Sequence, residues 1–266
     1  KALFCVGGFF PPSDVAGDSN GGSCELLDWL EQGKEPPVPT YFIGSFGSSS
    51  KKAMAALGTA AGGVQYLGRS GVTQVAGLTV AFLDGTYNEA VYSADDVGDP
   101  ETCRFFTELD VAKLKLAADG AGDIDIFLTC QWPASILNEV PSSTRPKSIQ
   151  PGSDPKSGSK ILDELAGILR PRYIVSGGEG IHFSRPPYLN PDRGVGAHVT
   201  RFLSLGAVCN PAKEKFLHAL QLTPMAMMDL DAALAKPADT TPYPFGREQT
   251  SAPKRQAEEP ADGQSW

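Results

Sequence analysis

The chain has 266 residues, 41% hydrophobic and 20% charged, proportions ordinary for a folded protein that buries a sizeable core in one large domain or two small ones. Its net charge of −8 argues against a generally basic surface that coats nucleic acid, while leaving local basic patches open. The cysteines, Cys5, Cys24, Cys103, Cys130 and Cys209, are odd in number and show no CxxC spacing, so neither a disulfide framework nor a zinc site is suggested and free thiols in a reducing compartment are expected.

No apolar run approaches the roughly 20 residues that span a bilayer, so no membrane partner is expected. There is no signal peptide and no initiator Met. Lys1 leads straight into an apolar run, and the chain reads as part of a longer intracellular protein.

Ala2 to Val6 is that run, and it ends in Gly7-Gly8, the pattern of a buried parallel strand meeting a loop. Residues 11–22 read as loop. Ser23 caps a helix predicted over Cys24 to Gln32, with Gly33 as its stop. Tyr41-Phe42-Ile43 is a second apolar strand, closed by Gly44, and a helix follows from Lys51 to Leu57. Residues 64–83 read as short β segments, Leu78 to Leu83 being the strongest, whereas 84–110 reads as an acidic solvated loop. Leu109 to Ala118 is predicted helical and Ile124 to Thr129 a buried strand.

Residues 137–158, poor in apolar side chains, are expected to form a mobile insertion. Ser159 then caps a helix over Lys160 to Leu169, and Tyr173-Ile174-Val175 is the next strand. Thr200 to Val208 and Phe216 to Leu222 read as two β runs with a turn at Asn210-Pro211, and Met225 to Leu234 as a short helix. From residue 236 to 266 the chain is polar and Pro-rich, and it is expected to be a disordered linker or tail after a domain spanning 1–235.

The repeated order of strand, glycine loop and helix predicts an α/β fold, a mostly parallel sheet flanked by helices with some antiparallel pairing. In such sheets ligands sit at the carboxyl ends of the strands. The loops there are Gly7-Gly8-Phe9-Phe10, Gly44-Ser45-Phe46-Gly47, Thr129 to Pro133, and Ser176-Gly177-Gly178-Glu179-Gly180. A hydrolytic metal centre needs oxygen and imidazole ligands at these tips, and only Cys130 and Glu179 are offered, two donors of mismatched softness. No catalytic residue, metal or cofactor is expected. Cys130 has no histidine near it in sequence and reads as packed and inert. The glycine loop at 177–180 lacks both the P-loop Lys-Ser/Thr and GxGxxG spacing.

His182 lies two residues from a loop tip and is a candidate ligand contact, while His218 alternates with Phe216 and Leu220 and reads as core. Arg172, Arg185 and Arg201 are candidates for binding phosphate. Phe9, Phe10 and Phe46 are unusual for loop tips. They either plug the space of a lost metal centre, the favoured reading, or form part of an exposed partner-binding patch.

These loops carry a resemblance. Leu128 to Pro133, Tyr41 to Gly47, Arg172 to Gly180 and Thr200 to Leu205 resemble segments of the lariat-debranching metallophosphoesterases. Cys5 to Phe10, Tyr66 to Gly71, Arg170 to Tyr173 and Ala207 to Pro224 are similar to the CwfJ family, also called Cwf-nineteen-like, whose amino-terminal domain resembles the debranching enzymes. The resemblance runs through most of residues 2–235. It implies a metallophosphoesterase-like β-sandwich with flanking helices, its first strand lying before residue 1 and its metal site eroded. Gly8 stands in place of a bridging aspartate, Phe46 of asparagine, Gly47 of histidine, Cys130 of another histidine, and Gly178 and Gly180 of the final pair.

The family further implies a nuclear protein of the intron-lariat spliceosome that associates with the debranching enzyme and promotes its work. The expectation is therefore a non-catalytic binding module whose partners are spliceosomal proteins, the debranching enzyme and, as a further candidate, RNA. The alternative is an RNA-binding or residual metal-dependent phosphodiesterase domain.

Overall fold

The computed structural model describes residues 1–10, 26, 29, 32–47, 50–58, 63–93, 104–149, 158–194 and 196–246. Two sheets form the body. In the smaller one, β1 (Leu3–Cys5), β2 (Thr40–Phe42) and β3 (Val64–Tyr66) lie side by side in chain order, all parallel. The larger one runs β4 (Ser70–Val75), β5 (Leu78–Leu83), β6 (Ile126–Thr129), β7 (Tyr173–Ser176), β10 (Val199–Ser204) and β8 (Phe183–Ser184), with β9 (Tyr188–Leu189) also paired to β10. Its centre, β5-β6-β7-β10, is parallel, and the antiparallel pairs β4-β5 and β10-β8 flank it. The expected mixed α/β arrangement is the observed one.

Alternation along the strands explains the layering, because successive side chains leave opposite faces of a sheet. Phe4 and Tyr41 of the small sheet and Val80, Phe82, Ile126, Leu128, Val175 and Leu203 of the large one share a single apolar layer between the sheets. The intervening residues point outward. Phe42 and Val64 pack under α1 (Ser50–Leu57) together with Leu26 and Trp29. Ala81, Leu83, Phe127, Ile174 and Phe202 pack under α3 (Glu108–Asp119) and α4 (Lys160–Leu169), the short α2 (Glu89–Tyr92) lying before them in the chain. The result is helix, sheet, sheet, helix.

The start of α3 follows the chemistry of orphan amides, whereas Ser159, expected to cap α4, stands at the N-cap position without a side-chain hydrogen bond to the helix. Thr107 accepts from the Asp110 amide while Asp110 accepts from the Thr107 amide, a reciprocal capping box at α3. Leu26 and Trp29 are helical, within the expected 24–32 segment; Gln32 lies in a turn, and the segment's other residues, like the loop 11–22, lie outside the described ones.

Four expectations are corrected. Residues 137–149 are not a mobile insertion: Leu137 and Val140 are buried, and Ser142–Thr144 forms a turn of 3-10 helix, while 150–157 lie outside the described residues. Phe216 to Leu222 is not a strand. It is irregular and solvent-facing, with Phe216 50% and Leu217 60% exposed, so His218 is no core residue. The segment 225–234 is broken into a 3-10 turn, Met225–Met227, and α5, Leu230–Leu234, with Asp229 capping α5 by accepting from the Ala232 amide. Finally, residues 237–246 do not begin a tail. Thr241 bridges to Tyr188, and Tyr243 and Phe245 close edge-on around the Tyr188 ring at 6.0 and 5.4 Å. Residues 247–266 lie outside the described ones.

Candidate functional site

The carboxyl ends of β1, β2, β5, β6 and β7 converge, as the parallel order demands, and their loops meet backbone to backbone. The Phe9 amide donates to the Gly44 carbonyl at 3.0 Å, and Ile43 donates to Cys5 at 3.2 Å. A Cβ on Gly44 would overlap the Gly7 carbonyl, and one on Gly177 would lie 2.6 Å from the Gly7 Cα. Gly44 also has φ +88, so glycine is required there twice over, by space and by conformation. These loops fill the mouth of the fold with main chain.

Beneath them lies a carboxylate that the chain pattern placed in a solvated loop. Asp84, immediately after β5, is fully buried. It accepts from the Gly44 amide at 2.7 Å, the Ser45 amide at 3.2 Å, the Ser45 hydroxyl at 2.6 Å and the Tyr66 hydroxyl at 2.6 Å. The Cys130 thiol approaches it at 3.6 Å, and the Arg69 guanidinium lies 3.8 Å away. An ionised carboxylate in the interior is tolerable when donors surround it in this way. Its position directly after a strongly apolar strand, at the carboxyl end where such sheets gather functional groups, was the available signal.

The positions at which the resemblance implies lost ligands behave differently from one another. Burial, and then the nearby Asp84 charge, push the Cys130 thiol well above its ordinary pKa, so it stays protonated and donates weakly to Asp84 and to the Gly7 carbonyl at 3.7 Å. Phe9 stacks on Phe42 at 4.0 Å and Phe10 is buried beside them, both packing in the layer under α1. Phe46 lies over Gly8 and receives Arg104 on its face at 5.8 Å. Gly47 follows it, half-buried; Gly178 approaches the Cys130 carbonyl, while Gly180 meets open space.

A divalent ion pair requires several hard donors with free lone pairs directed at one point. Here the candidate donors are a protonated thiol and a carboxylate already saturated by amides, hydroxyls and a guanidinium. The residues do not fit such a pair. Among the described residues, no group of three or more His, Cys, Asp or Glu side chains is placed to hold a metal ion.

Of the four candidate binding residues, Arg172 and Arg201 come together, while Arg185 and His182 lie elsewhere. Arg185 is 2% exposed and spends its guanidinium on the Ile136 and Asn138 carbonyls at 2.7 and 2.9 Å and on the Thr241 hydroxyl at 2.8 Å. Burial lowers it to about 10, still protonated at neutral pH. Arg185 is a clamp, not a phosphate ligand, and it explains why residues 136–138 and 241 are held down. His182 faces His218 at 6.2 Å, its amide donating to Glu214 at 3.0 Å. Burial and the Lys215 charge lower its pKa, so the ring is neutral at pH 7. Arg172 and Arg201 lie at the opposite end of the sheet, both against the Tyr173 ring at 5.8 and 5.6 Å.

The fold and the strand-end loops together define a two-sheet α/β domain whose mouth is closed by main chain, aromatic rings and one satisfied carboxylate. Relatives match most or all of this chain in sequence. The chain is 36% identical over 281 residues to zinc finger CCCH domain-containing protein 59 of Oryza sativa subsp. japonica, covering 100% of this chain and 43% of that protein. It is 34% identical to zinc finger CCCH domain-containing protein 64 of Arabidopsis thaliana, with 100% and 43% covered, and 30% identical to CWF19-like protein 1 of Homo sapiens, with 91% and 43% covered. The chain belongs to the CWF19-like, or CwfJ, family, and it spans less than half the length of these relatives. No family model matches. A solved structure overlaps 68% of the chain at 15% identity with a TM-score of 0.44, a likeness too loose to carry an argument.

Proposed function

We propose that this chain is a non-catalytic, metallophosphoesterase-like module that works by binding, within a nuclear spliceosome-associated protein acting in intron-lariat turnover and assisting the lariat-debranching enzyme. The observation that carries the reading is Asp84. A carboxylate left from, or placed beside, a catalytic centre would turn its oxygens toward an ion. Here they are taken by Gly44, Ser45, Tyr66 and Arg69.

Support comes also from the order of layers, with strand-end glycines where a phosphoesterase would carry ligands, and from family membership. The ring of Phe46 and the exposed Gly8 lie at the closed mouth, and the partner-facing surface is placed around it. The splicing role and the debranching partner rest on the resemblance of the loop segments.

The test uses purified protein with a branched RNA and the debranching enzyme. The chain alone with manganese, iron or zinc should cleave neither the branch nor an activated phosphodiester, and its addition should speed cleavage by the enzyme. Metal-dependent turnover by the chain alone overturns the reading, as does an enzyme rate unaffected by saturating chain.

A further inference from the structure

At the end of the large sheet opposite the closed mouth lies a cavity of about 270 Å³, whose lining includes Arg172, Arg201 and Lys236 together with Met225, Met228 and Ala232. Arg201 is the cross-strand neighbour of Tyr173, and Arg172 precedes it, so two guanidiniums flank one ring. Like charges brought this close cost free energy unless an anion lies between them. Among the described residues no carboxylate pairs with Arg172, Arg201 or Lys236. The nearest buried acid, Asp125, is already taken by the Thr79 and Met225 amides at 2.8 and 2.7 Å.

The cavity is also held in place. Arg172 donates to the Thr223 carbonyl at 2.7 Å, and the Asp125 bond fixes Met225, so the irregular segment that forms the apolar wall is tied to the starts of β6 and β7. His198 lines the same space and hydrogen-bonds the Arg170 carbonyl through Nε2 at 2.7 Å, which leaves Nδ1 as an acceptor. Three cations, one acceptor and a thioether-lined wall suit an anionic head joined to a small organic body. The volume, just under the roughly 300 Å³ at which drug-sized sites begin, admits one such unit and not a polymer track.

We propose that this cavity binds a small organic phosphate, of the size of one nucleotide unit, with Arg201 and Lys236 on the phosphate and the Met225–Met228 wall against the organic part. The site is distinct from the closed mouth and does not depend on the function proposed above.

Adenosine monophosphate, adenosine and inorganic phosphate are titrated into the whole chain by calorimetry, with Arg201→Gln and Lys236→Gln as variants. The monophosphate should bind one to one and roughly tenfold or more tighter than either fragment. Each variant should weaken it by roughly tenfold, the loss expected for one charge-assisted contact, with the melting temperature unchanged. Lys236 is exposed, so its variant reports binding even if Arg201→Gln unsettles the fold. Adenosine binding as tightly as the monophosphate, phosphate alone binding as tightly, no saturable binding, or wild-type affinity in Lys236→Gln would each overturn the proposal.

Discussion

The Tyr66 hydroxyl donates to Asp84 Oδ2 at 2.6 Å, and this bond joins the two sheets across their carboxyl edges, since Tyr66 ends β3 and Asp84 follows β5. The same oxygen takes the Ser45 hydroxyl from the loop after β2, so one buried carboxylate ties three loops together. Hydrogen bonding to the charge and burial act together on the tyrosine, whose pKa is pushed upward, chiefly by desolvation.

Replacing Asp84 by alanine takes this acceptor from the Gly44 and Ser45 amides and from the Ser45 and Tyr66 hydroxyls, and removes one partner of Arg69, which keeps the Phe105 carbonyl and Asp110. Uncompensated buried donors of this kind cost about 3–5 kcal/mol. Urea unfolding of Asp84→Ala should show that loss, and Tyr66→Phe a smaller one of about 1 kcal/mol. An Asp84→Ala midpoint equal to wild type would remove the carboxylate from its structural role.

Gly44→Ala forces a methyl group into the Gly7 carbonyl at a backbone conformation that disfavours it. A loss of about 2–5 kcal/mol is expected from strain and overlap together. Thermal melting reads it directly, and Gly180→Ala serves as the comparison, since its added methyl meets nothing within 4 Å and only its φ of +69 is strained.

Cys130 should resist alkylation in the native protein, because it is buried and its thiol is held protonated. Exposed Cys209 should react within minutes, and Cys5, half-buried with its pKa raised to about 11, more slowly. Mass spectrometry of iodoacetamide adducts, native against urea-unfolded, distinguishes them. Early labelling at Cys130 would contradict the closed mouth.

Stability should fall as the solution is acidified from pH 7.5 to 5.5. The pKa values of His182, His198 and His218 all lie below their ordinary value in the fold, burial being the leading cause in each. The unfolded chain therefore takes up protons first, near pH 6.5, and the folded state loses stability from there downward, while above that range the contribution is complete. The buried Asp163 carboxyl, raised by desolvation, works in the opposite sense at lower pH. His198→Gln should flatten the dependence of the melting temperature, because His198 is the most enclosed of the three.

Arg185→Ala should release residues 237–246 and the 136–138 turn together, since its guanidinium binds both. Faster hydrogen exchange at Asn138 and Leu189 is the expected signature, Leu189 because its amide donates to the Thr241 carbonyl. Exchange unchanged at both would mean that the aromatic contacts of Tyr243 and Phe245 suffice without the clamp.

By itself the sequence determined the strands that are continuous apolar runs, the helices with a clean apolar stripe such as Lys160 to Leu169, and the absence of hard ligands at Gly8, Gly47, Gly178 and Gly180. Periodicity and side-chain chemistry are local properties, readable from neighbours in the chain. Tertiary structure alone decided the partners of groups far apart in sequence. Asp84 and Arg185 are polar residues that composition assigns to solvent, and each is buried because groups distant in the chain, 18 to 40 residues away for Asp84 and 47 to 56 for Arg185, complete its hydrogen bonding. Phe216 and Leu217 show the converse: an alternating apolar run became no strand because no neighbouring strand is there to receive its hydrogen bonds.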